Sequence, residues 1–414
     1  MTDLVIDCDW NGPADASLVG EKAAELLSLY NLSSHGGFRV PQFCVLPASV
    51  LGEFYRQVDW DVPLQYEMLP GTRSVPEGVL RKLLPFPSFA DAIISECTRR
   101  LERPAMLRTS LVQSTRDNGT GYGINSTVLL DRDQAMAIHR TRVLPDLLAG
   151  LYKAYTTWDS WDRHPWTARE AGIVFMDAVP FTCLGAAYVE VGRVTVEVDA
   201  KRPPERHQLV LDRRAPEDDH GVLGRRRRDR LLRACHDIWE TRDTGSGLVE
   251  VEFGFGAEDE LFIVQTRQLP GDRAGAFHSI GEVTGQVCDL RNLPREPGAV
   301  HEALSHVGPH SILVLRRNDP HWFDAFALAW ISRLYALPSP PAAVVLEDRG
   351  IVGRDPGFRN HLAHALMTQR SAPFVAQVTP GQWPSGAKEV TMTSDGSLLD
   401  IRARSTQMMG PSTW

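Results

Sequence analysis

The feature that most limits how this chain can fold is a pair of strand-like segments around a short turn, the first of which alternates apolar and polar residues. The segment VEVEF at 249–253 is followed, after a turn rich in glycine and acids, by LFIVQTR at 261–267. A period of two is typical of β-strands, so the pattern predicts an antiparallel hairpin. Glu252 and Gln265 would lie on adjoining strands and converge with Arg267.

The composition is that of a globular protein and excludes several partners. A length of 414 residues allows two or three domains with buried cores. The residues are 43% hydrophobic and 23% charged, which is ordinary for a globular protein. The formal net charge of -8 argues against a partner that is a nucleic acid or a membrane surface, because both favour a basic face. The densest basic run, Arg225–Arg228, is interpreted as the solvated start of a helix.

Three features indicate a cytoplasmic protein without a membrane span. The six cysteines are scattered with no CxxC pair, which fits a reducing compartment and suggests neither a zinc site nor a disulfide framework. The first ten residues carry acids where a secretory signal carries bases. No apolar stretch approaches the roughly 18 residues that a membrane helix needs.

Periodicity and turn residues divide the chain into two units. In the first unit we predict helices at 17–30, 133–157 and 226–242, and a mostly helical region at 50–104 that prolines interrupt. We predict strands at 43–46, 105–108, 126–130, 173–176, 186–189, 194–198, 248–253 and 261–266. The best candidate for a linker follows, with the sequence PGDRAG at 270–275. In the second unit we predict strands at 282–290, 312–315, 343–346 and 374–377, and helices near 324–334 and 360–369.

Four segments of the first unit carry groups suited to a nucleotide, because phosphoryl transfer from ATP needs a cation near the phosphates and acids that hold Mg²⁺. The hairpin is one of them. The other three are LVGEKAAEL at 18–26, LRTS at 107–110 with the glycine-rich loop GTGYG at 119–123, and GIVFMDAV at 172–179.

The second unit carries a histidine motif, HALMTQR at 364–370, preceded by VLEDRG at 345–350. A neutral histidine near a helix N-terminus can accept a phosphoryl group on a ring nitrogen and pass it on. His361 lies one turn before His364, so either residue would serve as the acceptor. The alanine that follows His364 and the arginine at Arg370 favour His364.

In this order, the segments resemble the family of phosphoenolpyruvate synthase, pyruvate phosphate dikinase and rifampicin phosphotransferase over residues 14 to 380. The resemblance implies an α+β fold, with an ATP-grasp nucleotide-binding domain followed by a small β/β/α swivelling phosphohistidine domain. We place the units at 1–270 (subdomains at about 1–165 and 166–270), 271–276 for the linker, 277–404 for the swivelling domain and 405–414 for a tail.

The resemblance also implies individual roles. Phosphate would be bound by three cationic residues: Lys22, Arg108 and Arg267. Mg²⁺ would be held by Glu252 and Gln265. The remaining nucleotide contacts would come from Met176, Asp177 and Gly121. Catalysis would depend on His364 and Arg370. The chain departs from the family pattern at Glu21, Ala23, Ser114 and Met176.

The implied activity is an ATP-dependent dikinase-type phosphotransfer. ATP would phosphorylate the carrier histidine with release of AMP and Pi, and the phosphoryl group would pass to a small-molecule acceptor. The family's third, acceptor-binding domain has no counterpart in the sequence, so the acceptor would occupy the interdomain cleft or a separate protein. Two alternatives stay open: a kinase that transfers the γ-phosphate directly and yields ADP, and a degenerate, non-catalytic nucleotide-binding protein.

Overall fold

The fold is known from a computed structural model. It describes residues 5–10, 12, 15–35, 37–49, 96–97, 99–101, 105–111, 127–130, 171–199, 205–210, 223–242, 248–269, 275–291, 302–317, 339–348, 367, 373–379, 381–384 and 386–404. The predicted helices at 133–157 and 324–334, and most of those at 50–104 and 360–369, lie outside these residues. So do four candidate site residues: Gly121, His361, His364 and Arg370.

The first of three sheets is antiparallel and has five strands in the order β1-β2-β5-β3-β4. They are β1 (Ile6–Asp7), β2 (Phe43–Leu46), β3 (Ala105–Leu111), β4 (Thr127–Leu130) and β5 (Ala171–Asp177). Strand β3 continues to Leu111, three residues past the predicted end of this strand at residue 108. Because β5 lies between β2 and β3, this sheet extends past the subdomain boundary placed near residue 165.

Two helices pack on the first sheet where the sequence predicted one. They are α1 (Ala16–Val19) and α2 (Glu21–Ser33), and they are separated by Gly20. The N-cap of α1 is Asp15, whose carboxylate accepts the amide N–H of Ser17 at 2.8 Å. Gly20 has a φ of 83°, and a Cβ there would lie 2.2 Å from the carbonyl oxygen of Ser110. The chain can therefore turn between the helices, close to β3, only with glycine at this position.

The second sheet is also antiparallel, with the strand order β10-β9-β6-β7-β8. Its strands are β6 (Cys183–Glu190), β7 (Arg193–Asp199), β8 (Glu205–Val210), β9 (Leu248–Phe255) and β10 (Leu261–Leu269). The pattern predicted all of them except β8, and β9 with β10 forms the predicted hairpin. A third helix, α3 (Arg225–Glu240), covers one face of the sheet with Leu231, Ala234 and Ile238 against Val251 and Phe253.

The basic run begins α3 and is exposed over its first two arginines, as predicted, but its second half holds the hairpin turn instead of facing solvent. Arg228 is buried, and the guanidinium of Arg227 donates to the carboxylate of Asp259 at 2.6 Å. Arg230 donates to the Asp259 carbonyl oxygen at 2.6 Å. Glu258 and Asp259 both have a positive φ, which costs free energy for residues other than glycine. The two arginines offset that strain.

The third sheet has six strands in the order β14-β13-β12-β11-β15-β16. They are β11 (Ile280–Asp289), β12 (Ser311–Arg317), β13 (Ala343–Asp348), β14 (Phe374–Val378), β15 (Glu389–Asp395) and β16 (Leu399–Ala403). The first four pair in parallel and match predicted strands, whereas β15 and β16 add an antiparallel edge that we did not predict.

The end of the predicted linker is packed rather than exposed. Ala276 and the neighbouring Phe277 are buried, in a cluster with Tyr188, Leu248 and Leu269 of the second sheet. The third sheet therefore begins against the second sheet. Within the described part of the chain, no helix combines the length and the apolarity needed to cross a membrane.

Substitution of Gly20 and Gly192 separates two effects of a Cβ atom: backbone strain at a positive φ and steric overlap with neighbouring atoms. Both have positive φ, at 83° and 73°, but a Cβ at Gly192 would meet nothing within 4 Å. We expect Gly192→Ala to lower the free energy of unfolding by about 1 kcal/mol, from backbone strain alone. Gly20→Ala should lower it by roughly 1–3 kcal/mol more, because overpacking is added. Urea denaturation measures both values, and equal losses would show that the approach to Ser110 imposes no constraint.

Candidate functional site

A row of polar residues lies on the face of the second sheet opposite α3. The register pairs Gln265 with Glu252, and Arg267 with Glu250. Glu250, Glu252 and Gln265 are only 1%, 4% and 3% exposed. A buried carboxylate costs several kcal/mol unless charges and hydrogen bonds compensate it, so two of them on one strand demand cationic neighbours.

A β-bulge in β10 brings Gln265 to this face. The register shifts between Ile263, which pairs with Phe253, and Gln265, which pairs with Glu252. Without the shift, Ile263 and Gln265 would share a face, since they are two residues apart. Ile263 instead packs in the core with α3, while Gln265 joins the polar row. The extra residue is Val264, which is typical of bulges that re-aim a side chain near a site.

Arg108 of the first sheet connects the two sheets at this point. Its guanidinium donates to the side-chain oxygen of Gln265 at 2.6 Å and to the carbonyl oxygen of Val264 at 2.9 Å. The same group lies 3.4 Å from the carboxylate of Glu252. A second connection runs through the backbone, because the Arg39 amide donates to Leu261 and its carbonyl accepts from Ile263, both at 2.8 Å.

Lys22 enters the cluster from the first turn of α2. The hydroxyl of Ser110 in β3 accepts the amide N–H of Ala23 at 2.9 Å, which fixes this end of the helix over the sheet. Burial lowers the pKa of Lys22 well below its ordinary value, although the residue as a whole keeps partial exposure. The nearby guanidinium groups of Arg108 and Arg267 lower that pKa further, and Glu252 acts in the opposite direction.

Glu250 is a member of the row that the sequence analysis missed. Its carboxylate accepts the Tyr188 hydroxyl at 3.3 Å and lies 3.6 Å from the guanidinium of Arg267. The signal was present in the sequence, because Glu250 and Glu252 are two residues apart in a predicted strand and therefore share a face.

A second network fixes α2 to β10 from the other side of the strand. Arg242 pairs with the carboxylate of Glu25, and both groups bond the hydroxyl of Thr266, at 2.7 Å and 2.8 Å. Thr266 lies between Gln265 and Arg267 in the sequence. The helix that carries Lys22 is therefore held against the strand that carries the polar row.

Met176 and Asp177 lie in β5, beside the strand that carries Arg108. Met176 is buried in the core of the first sheet, in a cluster that includes Phe43 and Val174. Asp177 ends β5, and its amide donates to the Gln42 carbonyl at 2.8 Å. Of the described candidates, the structure brings five together: Lys22, Arg108, Glu252, Gln265 and Arg267.

The chemistry of the cluster fits a magnesium-bound phosphate chain. Two carboxylates and an amide oxygen are hard oxygen ligands, and Mg²⁺ is usually held by one or two protein carboxylates together with substrate phosphates. No group of three His, Cys, Asp or Glu side chains suited to a metal occurs among the described residues, so a cation here would need phosphate oxygens as further ligands. Lys22, Arg108 and Arg267 supply the positive charge that polyphosphate requires.

No family model matches the chain, and no curated protein is similar to it. Solved structures that are similar to part of it include three enzymes. N5-carboxyaminoimidazole ribonucleotide synthetase, in complex with ADP, is 13% identical over 60% of this chain and 48% of its own, with a TM-score of 0.28. VanG D-Ala:D-Ser ligase from Enterococcus faecalis is 13% identical over 59% and 51%, with a TM-score of 0.26.

The third is D-alanine–D-alanine ligase from Bacillus anthracis in complex with ATP, which is 10% identical over 60% of this chain and 55% of its own, with a TM-score of 0.25. The chain thus spans about half the length of each of these structures. Likeness at such TM-scores establishes neither a shared fold nor a shared function.

The lowered pKa of Lys22 predicts a pH dependence of stability. Between that pKa and the ordinary value of 10.5, the unfolded chain binds more protons at this residue than the folded chain. Stability therefore rises with pH in that window, by at most about 1.4 kcal/mol per pH unit. Lys22→Met removes this dependence, so the variant should be more stable than the wild type at low pH within the window, and the difference should shrink as pH rises.

Urea denaturation at several pH values measures the difference. Lys388→Met, at an exposed lysine next to β15, is the matched control and should follow the wild type at every pH. A difference between Lys22→Met and wild type that stays constant with pH would contradict the electrostatic environment assigned to Lys22.

Proposed function

We propose that residues 1–270 form an ATP-grasp-type unit that binds Mg·ATP at the cluster around Glu252. The observation that carries this proposal is the convergence of Lys22, Arg108 and Arg267, from a helix and two different sheets, on Glu252 and Gln265. Three cations facing buried carboxylates are costly to fold unless the site serves a ligand with many anionic oxygens.

The residues have distinct roles in this proposal. Glu252 and Gln265, with Glu250 beside them, would hold Mg²⁺, whose positive charge stabilises the charge that develops on the phosphate oxygens. In the free protein, Arg108 bonds Gln265 and lies near Glu252. On binding, its guanidinium would turn its N–H groups toward phosphate, for which a planar fork is well suited. Phosphate beside Lys22 would raise the pKa of its amine, because an anion favours the charged form.

The chemical step we propose uses His364 as a carrier. A ring nitrogen of neutral His364 attacks the β-phosphorus of ATP, the bond between the α,β-bridging oxygen and that phosphorus breaks, and AMP leaves. Water then attacks the outer phosphorus, the bond between that phosphorus and the bridging oxygen breaks, and Pi leaves. The one phosphoryl group that remains on the ring passes to the acceptor hydroxyl or carboxylate, and the ring nitrogen is released. Arg370 would stabilise the transferred charge. This part rests on the sequence resemblance, since both residues lie outside the described ranges.

The acceptor is proposed to be a small molecule, bound in the cleft between the two units or on a separate protein. The six cysteines are all free thiols, which supports a reducing, cytoplasmic setting. Direct γ-phosphate transfer with formation of ADP is the second candidate. The buried position of Met176 favours neither route, because both need the same phosphate cluster.

Replacement of Glu252 tests the binding site. We expect Glu252→Gln to lose the magnesium dependence of ATP binding, with at least a roughly tenfold weaker affinity for Mg·ATP, because the ligand charge is lost while the shape is kept. Binding of magnesium-free ATP should be unchanged or tighter, since the three cations remain. Calorimetry with and without Mg²⁺ measures both. Glu282→Gln, on the exposed part of β11, is the control. Unaltered magnesium dependence in Glu252→Gln would overturn the assignment.

Replacement of the two histidines tests the carrier step. After incubation with Mg·ATP, peptide mass spectrometry should find one or two phosphates on the peptide that carries His364, and AMP should appear. His364→Asn should abolish the label, whereas His361→Asn should retain it. ADP as the nucleotide product, with an unmodified peptide, would indicate direct transfer to the acceptor. Intact ATP and an unmodified peptide would indicate a non-catalytic nucleotide-binding protein.

A further inference from the structure

Tyr188 takes part in two contacts that connect the polar row to the third sheet. Its hydroxyl donates to the carboxylate of Glu250 at 3.3 Å, and this carboxylate lies 3.6 Å from the guanidinium of Arg267. Its ring packs edge-on against Phe277, with ring centroids 5.6 Å apart and an interplanar angle of 75°. A single rigid, buried side chain thus touches the candidate nucleotide site at one end and the start of the third sheet at the other.

The segment 275–279 is bonded firmly to the third sheet. The amides of Phe277 and His278 donate to the carbonyl oxygen of Gly396, at 2.9 Å and 3.1 Å. The Gln377 side chain donates to the carbonyl of Phe277 at 3.2 Å. The Phe277 ring therefore moves with the third sheet, so its contact with Tyr188 depends on the position of that sheet.

The turn between β15 and β16 sits on the same face of the second sheet. Arg193 bonds Asp395 through both its carboxylate and its carbonyl oxygen, each at 3.1 Å. The hydroxyls of Thr195 and Ser397 lie 3.1 Å apart. Thr195 pairs directly with Tyr188, which in turn pairs with Glu250. The docking contacts and the polar row therefore form one continuous line across four strands.

We infer that Tyr188 is a positioning residue that couples the docking of the third sheet on the second sheet to the polar row of the candidate nucleotide site. The contacts give the reason. When the ion pair between Glu250 and Arg267 changes, the hydrogen bond from the Tyr188 hydroxyl to Glu250 changes with it, and the Tyr188 ring then moves against Phe277. Because packed side chains do not deform continuously, we expect two discrete arrangements, one with the third sheet docked on the second sheet and one with it released. Coupling of this kind is reciprocal, so undocking also changes the row.

The consequence for nucleotide binding rests on the proposed function: entry of Mg·ATP would recruit Glu250, loosen its bond to Tyr188 and release the third sheet, which carries the proposed phosphohistidine segment. The coupling itself requires no ligand. It is a property of the contacts among Glu250, Tyr188 and Phe277 and can be measured in the protein alone.

A double-mutant cycle tests the coupling in the full chain. Hydrogen exchange, followed by mass spectrometry of the peptide that spans 275–279, reports on the two amides bonded to Gly396. We expect Glu250→Gln to change exchange there by roughly threefold to tenfold, the size of a lost buried hydrogen bond. In the Tyr188→Phe background, which keeps the ring but removes the hydroxyl, the same substitution should change exchange by less than about twofold. Equal changes in both backgrounds would overturn the inference.

A matched control separates coupling from general loosening. Thr195→Val removes a buried hydroxyl from the same row, next to Tyr188, and weakens docking through Ser397. In this background, Glu250→Gln should keep its full effect on exchange, because the path through Tyr188 is intact. Loss of the effect here as well would show unspecific loosening and refute the inference. Should Glu250→Gln fail to fold, Arg267→Lys perturbs the same carboxylate with both charges retained.

Addition of Mg·ATP to the wild type separates this inference from the proposed function. Tight binding with increased exchange at 275–279, absent in Tyr188→Phe, is the expected result. A wild type that does not bind Mg·ATP would contradict the proposed function, while the mutant cycle would still decide the coupling.

Discussion

Two buried carboxylates on β9 are the constraint on which the rest of this structure depends. Glu250 and Glu252 lie inside the protein, and ionised groups there need partners. The partners come from three places: Arg108 from the first sheet, Arg267 from the neighbouring strand and Lys22 from α2. The helix break before Lys22, the bulge in β10 and the contact between the two sheets all serve to bring these cations within reach.

The charges of this cluster do not stabilise the folded protein. Burial lowers the pKa of Lys22, repulsion from the guanidinium groups of Arg108 and Arg267 lowers it further, and Glu252 compensates these effects only in part. An arrangement of this kind is worth little to folding, since apolar residues of similar volume would often stabilise the protein more. Under the proposed function its value lies in preorganisation, because Ser110 and the network of Glu25 with Arg242 already fix the helix that carries Lys22 before polyphosphate and Mg²⁺ bind.

The sequence predicts the strands of this cluster well where alternation is regular, and less well where a local irregularity decides the register. The hairpin, and the shared face of Glu250 and Glu252, follow from a period of two. The bulge that separates Ile263 from Gln265 leaves no signature in the residue types, so strict alternation would assign Gln265 to the core. Strands β8, β15 and β16 were not predicted, because their polar residues are equally compatible with loops. In such segments, tertiary pairing determines whether a strand forms.

A crystal structure with Mg²⁺ and a non-hydrolysable ATP analogue tests the central claim most directly. The phosphate oxygens should lie about 3 Å from the side-chain nitrogens of Lys22, Arg108 and Arg267, with Mg²⁺ on Glu252 and Gln265. The 2.6 Å bond between Arg108 and Gln265 should be broken or lengthened. An analogue bound elsewhere, with that bond intact, would contradict the assignment of this cluster as the nucleotide site.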